Sequence, residues 1–395
     1  MMIRQTWALF VDAYRELNAK KMFWIVMLLS LVCVGALACI GIYDDGKERG
    51  ITLLAWRFPI QVFDYFNLSK KTFYNLMFQT VGFKLWLTWA ATILALVSTA
   101  GIIPDFITGG SIEMVLSKPI SRLRLFLTKY LAGLLFVVLQ VSVFALASFL
   151  VIGLRSGAWQ PALFLSIPIV VVFFSYLYGF LVLVGMLTRS AIASLLITIC
   201  LWLAIFALHV AESGPLLQAK VRQDQMVALR ENDISTFTAK LDSRRAEEGN
   251  AVSTGESPAP KPSKPVKTVA EMEAELAEKK ERLATSLADQ TTLNRVHALL
   301  FATKTVLPKT SETMDLLGRK LISAAELENF MDNAPDQRRR GRGAGDELRV
   351  SEISVTKEHQ RILRERSVGW VLGTSLLFEA VMVAIAAWIF CRRDF

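Results

Sequence analysis

The sequence predicts an all-α polytopic membrane protein with six transmembrane helices, because of its composition and six long apolar runs. Of its 395 residues, 53% are hydrophobic, and a mean hydropathy above zero is unusual for a soluble protein of this length. A helix of about 20 apolar residues is long enough to cross a bilayer. Runs of that length occupy residues 22–43, 81–103, 125–154, 163–187, 191–210 and 370–390.

The basic residues between these runs predict which side of the membrane each loop faces. Lys20 and Lys21 precede the first run, Lys118 and Arg122 lie between the second and third, and Arg189 lies between the fourth and fifth. Because short cytoplasmic loops are enriched in Lys and Arg, both termini are expected in the cytoplasm. We expect a multi-pass protein in the lipid bilayer of the bacterial plasma (inner) membrane. Its net charge of +9 then reflects topology and predicts no nucleic-acid partner.

The predicted spans divide the chain into three parts. Residues 1–211 hold helices one to five, and residues 368–395 hold the sixth helix and the cytoplasmic C-terminus. Between them, residues 212–367 form a polar insertion, which the alternation of the spans places outside the cytoplasm. Before the first span, residues 3–21 predict an amphipathic helix on the inner face of the membrane. Its apolar residues recur at helical spacing: Trp7, Phe10, Val11, Tyr14 and Leu17.

The insertion is predicted to be helical, with flexible linkers at about 246–268 and 332–347. The first linker contains a Pro-rich stretch and the second an Arg/Gly-rich stretch, neither of which favours a helix. Between the linkers, apolar residues recur mostly at steps of three, four or seven, with one phase shift after Leu287: Met272, Leu276, Leu283, Leu287, Leu293, Val296 and Leu300. This pattern predicts a short coiled coil or helical hairpin, or equally a solvated helix that packs on the membrane domain.

The polar stretch between the second and third spans, which we call the island, contains a second short amphipathic helix at about residues 110–119. Gly109 and Gly110 break the preceding helix, Ser111 can cap a new one, and Pro119 stops it. Ser121 can then cap the next helix, which becomes the third span. Its apolar residues Ile112, Val115 and Leu116 share one face. Such a helix could lie on the lipid surface, or it could be held rigidly between two spans and transmit a movement to them.

The island resembles the signature of type-2 ATP-binding-cassette (ABC) exporter permeases. The matching run is GGSIEMVLSKPISRLRLFLTKYLAG, at residues 109–133. Weaker likenesses support it. The N-terminal elbow helix of that family resembles residues 7–21, WALFVDAYRELNAKK. The stretch before its last span resembles residues 307–317, LPKTSETMDLL, and its usual ending resembles residues 389–395, IFCRRDF.

The resemblance implies a coupling helix that docks on a separate nucleotide-binding subunit. The docking residues would be Ile112, Glu113, Met114, Val115, Leu116, Ser117, Lys118 and Pro119, with Arg122 beside them. It also implies an ABC ATPase partner that binds ATP and Mg, and pairing with a second permease copy or a sister permease. The insertion is larger than the usual loop in that family.

The sequence offers no site for catalysis or for a cofactor of its own. It has no G-x-x-x-x-G-K-[ST] phosphate loop and no HExxH motif. His209, His297 and His359 are scattered without metal-ligand spacing, so no metal site is expected. We therefore predict a chain that is not an enzyme and leaves ATP hydrolysis to its partner.

Glu379 is the one carboxylate predicted deep within a span. A charge at that depth is costly and faces a cavity or a polar partner. It would either line a substrate path or form an intramembrane polar contact, for which Gln140 and Thr198 are candidate partners.

Two functions remain open from the sequence. The chain could be the permease subunit of an ABC transporter, with export as the expected direction, that couples ATP hydrolysis by a separate ATPase subunit to substrate movement. Alternatively, it could be a mechanotransmission subunit whose outer insertion regulates an envelope partner without moving cargo; the size of the insertion favours this alternative.

Overall fold

A computed structural model describes residues 21–44, 49–54, 56–59, 70–108, 121–157, 159–254, 268–321 and 350–392. The chain divides into two compact units. The described residues up to His209, residues 303–321 and those from Arg366 onward form the first unit. The second unit comprises Val210–Ala302 and residues 350–365.

Six helices among the described residues are long and apolar enough to cross a membrane, which confirms the predicted all-α class and number of spans. The elements up to the fifth span are α1 (Lys21–Cys39), β1 (Ile40–Asp44), β2 (Arg49–Leu53), β3 (Trp56–Pro59), α2 (Lys70–Met77), a π-helical segment (Phe78–Ala91), α3 (Thr92–Thr99), α4 (Pro104–Thr108), α5 (Arg122–Ser156), a 3-10 turn (Pro161–Leu165), α6 (Ser166–Thr188) and α7 (Ala191–Ala211).

The remaining elements follow the fifth span. They are a π-helical turn (Glu212–Leu216), α8 (Leu217–Thr254), α9 (Val269–Val306), α10 (Thr310–Leu321), α11 (Glu352–Glu365) and the sixth span α12 (Val368–Arg392). Helix α8 runs into the predicted linker at 246–268. Residues 255–267 of that linker, the predicted linker at 332–347 and most of the predicted elbow helix lie outside the described residues.

A small antiparallel sheet follows α1, in the order β1-β2-β3, and the sequence did not predict it. The apolar run had suggested a helix as far as Tyr43, but α1 ends at Cys39. Strand β1 pairs Ile42 with Ile51 of β2, and isoleucine and tyrosine favour strands once the helix has ended.

The core of the first unit is rich in aromatic side chains. Phe83, Phe144, Phe173 and Tyr178 are fully buried. A Cβ added at Gly133 of α5 would overlap the ring and hydroxyl of Tyr178. Glycine at this position therefore lets α5 and α6 approach each other closely.

Helix α8 and helix α9 as far as Ala302 lie in the second unit. The two helices run antiparallel and are joined mainly by polar contacts. Lys279 lies 2.5 Å from Asp233, and Gln290 donates to Asp224 at 2.8 Å. Residues 279, 286 and 290 of α9 all contact α8, so polar side chains occupy part of the contact stripe. This accounts for the phase shift in the leucine pattern, because Leu287 itself is exposed. The coiled coil remains a prediction.

Helix α10 belongs to the first unit, although the sequence had assigned it to the insertion. Most of its residues are buried, among them Met314 and Leu317, and it packs against α6 and α12. Glu312 lies in its first turn and Arg319 in its last, as the helix dipole favours.

Candidate functional site

The predicted coupling helix at 110–119 lies outside the described residues, so the docking roles of Ile112 to Pro119 stay predictions. The structure describes the two helices that flank it. On the C-terminal side, Ser121 is the N-cap of α5 and accepts a hydrogen bond from the backbone N–H of Arg124 at 3.4 Å. Ser121 was expected to cap this helix because serine satisfies a free N–H in a first turn.

Both flanks of this segment are fixed to the helix bundle. On the N-terminal side, Phe106 of α4 is buried and lies 5.2 Å below the ammonium group of Lys129 in α5. On the C-terminal side, the guanidinium of Arg122 donates to the carbonyl oxygen of Cys391 at 3.3 Å. The structure thus places Arg122, a predicted docking residue, against the C-terminal end of α12, where a cation complements the helix dipole.

One face of α5 continues this contact into the bundle. Arg122, Phe126 and Tyr130 are spaced four residues apart, so they lie on the same side of the helix. The ring of Phe126 lies 5.7 Å from that of Phe390, and Tyr130 bonds to Glu379. The first three turns of α5 are therefore in direct contact with α12.

Glu379 is bonded to α5 and α6. Tyr130 donates to its Oε1 at 2.8 Å, and Ser175 donates to its Oε2 at 2.6 Å. Each carboxyl oxygen thus has one hydroxyl donor. This arrangement suits an intramembrane polar contact, because a buried carboxylate is tolerated when its oxygens are hydrogen-bonded.

The two partners suggested from the sequence lie elsewhere. Gln140 is buried, and its Oε1 has no hydrogen-bond partner among the described residues; it borders a small cavity together with Thr92 and Phe174. Thr198 donates to the carbonyl of Ser194 within its own helix. Sequence reasoning estimated the depth of Glu379 but not the direction in which it faces around the helix axis.

A second charged cluster, centred on Glu312 of α10, was not foreseen. Glu312 is only 3% exposed. Its Oε1 lies 3.3 Å from His209 Nδ1 and 3.0 Å from Arg366 Nη1, and it also contacts the Nζ of Lys304. Lys304 Nζ in turn lies 3.0 Å from His209 Nδ1. We call these four residues the Glu312 cluster.

The cluster keeps Glu312 ionised. Burial alone would raise the pKa of this carboxyl, but the hydrogen bond from His209 and the charge of Lys304 outweigh burial and hold the pKa well below its usual range. One turn earlier, Lys309 is almost fully buried, and burial lowers its pKa to about 8.

Lys309 is satisfied by local acceptors and by an aromatic ring. Its Nζ donates to the carbonyls of Thr305 at 2.6 Å and Leu307 at 3.1 Å, and it lies 4.8 Å from the ring centre of Trp370. Its backbone N–H donates to Ser375 Oγ at 2.9 Å. The segment that precedes α10 is therefore tied to α12.

Metal binding finds no support in the part of the chain that is described, where no group of three His, Cys, Asp or Glu side chains could hold an ion. The chemistry of both clusters is that of ion pairs and hydrogen bonds between helices. Such contacts position helices and can change when the helices move.

Comparison with known proteins identifies the family. No curated protein sequence and no solved structure matches this chain. A family model described as ABC-2 family transporter protein matches residues 8–241, which is more than half of the chain. The match includes the first five spans and the predicted coupling helix. This family supplies the membrane component of ABC transporters, which associates with the membrane and with an ABC ATPase. The chain therefore belongs to the ABC-2 transporter family as a multi-pass permease.

Proposed function

We propose that this chain is the permease subunit of an ABC exporter, which couples ATP hydrolysis by a separate ATPase subunit to the movement of a substrate across the membrane. The contact of Arg122, Phe126 and Tyr130 with α12 is the observation that carries the proposal. A displacement of residues 110–119 would move the first turns of α5 and, through these contacts, the sixth span.

The ATPase would bind the apolar face formed by Ile112, Val115 and Leu116. ATP and Mg would be bound by that subunit, and a second copy of this chain or a sister permease would complete the membrane part. Export is the proposed direction because the island resembles that of exporter permeases.

Replacement of Leu116 by Asp tests the docking site. An unpaired carboxylate buried in the ATPase interface should cost several kcal/mol of binding free energy, so the permease should be purified from membranes without its ABC ATPase. Lys261→Asp, a charge change in the Pro-rich part of the insertion, is the control and should keep the ATPase. Full retention of the ATPase by Leu116→Asp would show that this helix is not the docking site.

The orientation in the inner membrane can be tested by thiol labelling. In a cysteine-free background, a membrane-impermeant maleimide added from outside should react with cysteine at Ser263 and miss cysteine at Ser117. Reaction at Ser263 only after permeabilisation would place the insertion in the cytoplasm, contrary to the proposal.

Mechanotransmission is the second candidate function, and the separate second unit favours it. In that case the conformational change of the ATPase would move Val210–Ala302 and residues 350–365, and no cargo would cross the membrane. Mass spectrometry of lipids and small molecules that copurify with the complex distinguishes the two. A bound molecule that ATP releases supports transport, whereas an envelope enzyme whose activity depends on ATP hydrolysis by this complex supports mechanotransmission.

A further inference from the structure

The chain passes between its two compact units at three described places, and one carboxylate contacts a residue at or beside each of them. It leaves the first unit after His209, returns to it at residue 303, and returns again at Arg366. The three partners of Glu312 Oε1 are His209, Lys304 and Arg366. All four side chains belong to the first unit.

The burial of this cluster indicates a fixed geometry. The side chains of Lys304, Glu312 and Arg366 are 5%, 4% and 8% exposed. A buried ion pair is weak support for stability, since apolar residues of similar volume often stabilise a fold equally well. Charges with fixed partners can instead hold the segments that carry them in a single arrangement.

The carboxylate itself is held on a rigid element. Helix α10 is largely buried and packs against α6 and α12. Lys309, just before it, adds a second tie, because its backbone N–H bonds to Ser375 of α12. Whatever moves α6 and α12 will therefore also move Glu312 and the three crossings that it contacts.

We propose that Glu312 is a positioning residue that fixes the three crossings to the membrane spans, so that movement of the spans is passed on to the second unit instead of being absorbed at the crossings. Without the carboxylate, His209, Lys304 and Arg366 lose the partner that they share. The proposal rests on the proposed function for the source of the movement, but the fixing itself does not depend on it.

Glu312→Gln is the direct test, and Asp315→Asn is a matched control. Asp315 lies on the same helix and pairs with Lys84 at 3.0 Å, but both of these side chains are about half exposed, so this pair should contribute little. Amide hydrogen exchange is measured first without nucleotide, on the purified full-length protein. Glu312→Gln should raise exchange at least tenfold at all three crossings, in peptides covering residues 205–215, 300–310 and 362–372, and Asp315→Asn should not.

The second measurement uses the complex with its ATPase, with and without ATP and vanadate. In the wild type, nucleotide should change exchange within residues 217–254. The difference should vanish in Glu312→Gln and persist in Asp315→Asn, while both variants retain the ATPase.

Three results would overturn the proposal. The first is unchanged exchange at the crossings in Glu312→Gln, the second is a wild-type complex in which nucleotide leaves residues 217–254 unaffected, and the third is full persistence of that effect in the variant. If no ATPase associates even with the wild type, the proposed function fails, and the nucleotide-free measurement still decides whether Glu312 fixes the crossings. If Glu312→Gln does not fold, Lys304→Met/Glu312→Gln removes a cation together with the carboxylate, and the same outcomes apply to it.

Discussion

The hydrogen bond between Tyr130 and Glu379 should be measurable as a coupling free energy between α5 and α12. We consider the variants Tyr130→Phe and Glu379→Met, singly and together. Methionine keeps the unbranched shape of glutamate but accepts no strong hydrogen bond. The cost of burying the carboxylate enters both backgrounds equally and cancels in the double-mutant cycle.

The alternative hydrogen-bond acceptors near Tyr130 and Ser175 lower the coupling free energy that we expect. A hydrogen bond to a charged group contributes about 1.5–3 kcal/mol, but the hydroxyl of Tyr130 also lies 3.4 Å from the carbonyl oxygen of Ser175, which can accept in its place. Ser175 likewise keeps an acceptor, the carbonyl of Val172 at 2.8 Å. We therefore expect a coupling of about 1 kcal/mol, below the full value of an isolated charged bond.

The assay is the free energy of unfolding in detergent micelles, measured by denaturant titration for the four proteins. Gln140→Met in place of Tyr130→Phe is the matched control. Gln140 lies ten residues further along α5, or about 15 Å along its axis, and its effect should add to that of Glu379→Met within about 0.5 kcal/mol. A Tyr130 coupling no larger than that of Gln140 would refute the assignment of Glu379 to this helix contact.

Two further predictions concern packing and charge. Gly133→Ala should lower the free energy of unfolding by about 1–3 kcal/mol because its methyl group would overlap Tyr178, whereas Gly35→Ala, with open space around it, should be neutral or stabilising in the same denaturant titration. The low pKa of Glu312 should contribute stability that is fully present above the ordinary pKa of 4.5 and lost as the pH falls further towards the folded-state pKa. The thermal unfolding midpoints of the wild type and Glu312→Gln should therefore converge below pH 4.5 and stay apart at pH 7; a constant difference across this range would contradict the cluster's electrostatics.

The sequence predicted those features that depend on a local pattern. The six spans follow from the length of apolar runs, and the cap at Ser121 follows from its place before a helix. The sheet after Cys39 was missed because Ile40, Ile42 and Tyr43 continue the apolar run although they also favour strands.

Features that depend on the direction of side chains could not be predicted in the same way. The depth of Glu379 in α12 pointed to Gln140, but contact also depends on rotation about the helix axis, which brought Tyr130 and Ser175 to it. The Glu312 cluster joins residues far apart in the chain, with Arg366 54 positions away, and no local spacing marks such a set.

ATP hydrolysis shows whether this chain is a permease that another subunit drives. The rate is measured for the purified chain alone, for its ABC ATPase alone and for the complex of the two in lipid. We expect no hydrolysis by the chain alone, because it lacks a phosphate loop. We expect the complex to hydrolyse ATP at a rate that differs from that of the free ATPase and that returns to the free rate with Leu116→Asp. Hydrolysis by the isolated chain, or a complex whose rate Leu116→Asp leaves unchanged, would contradict the proposed function.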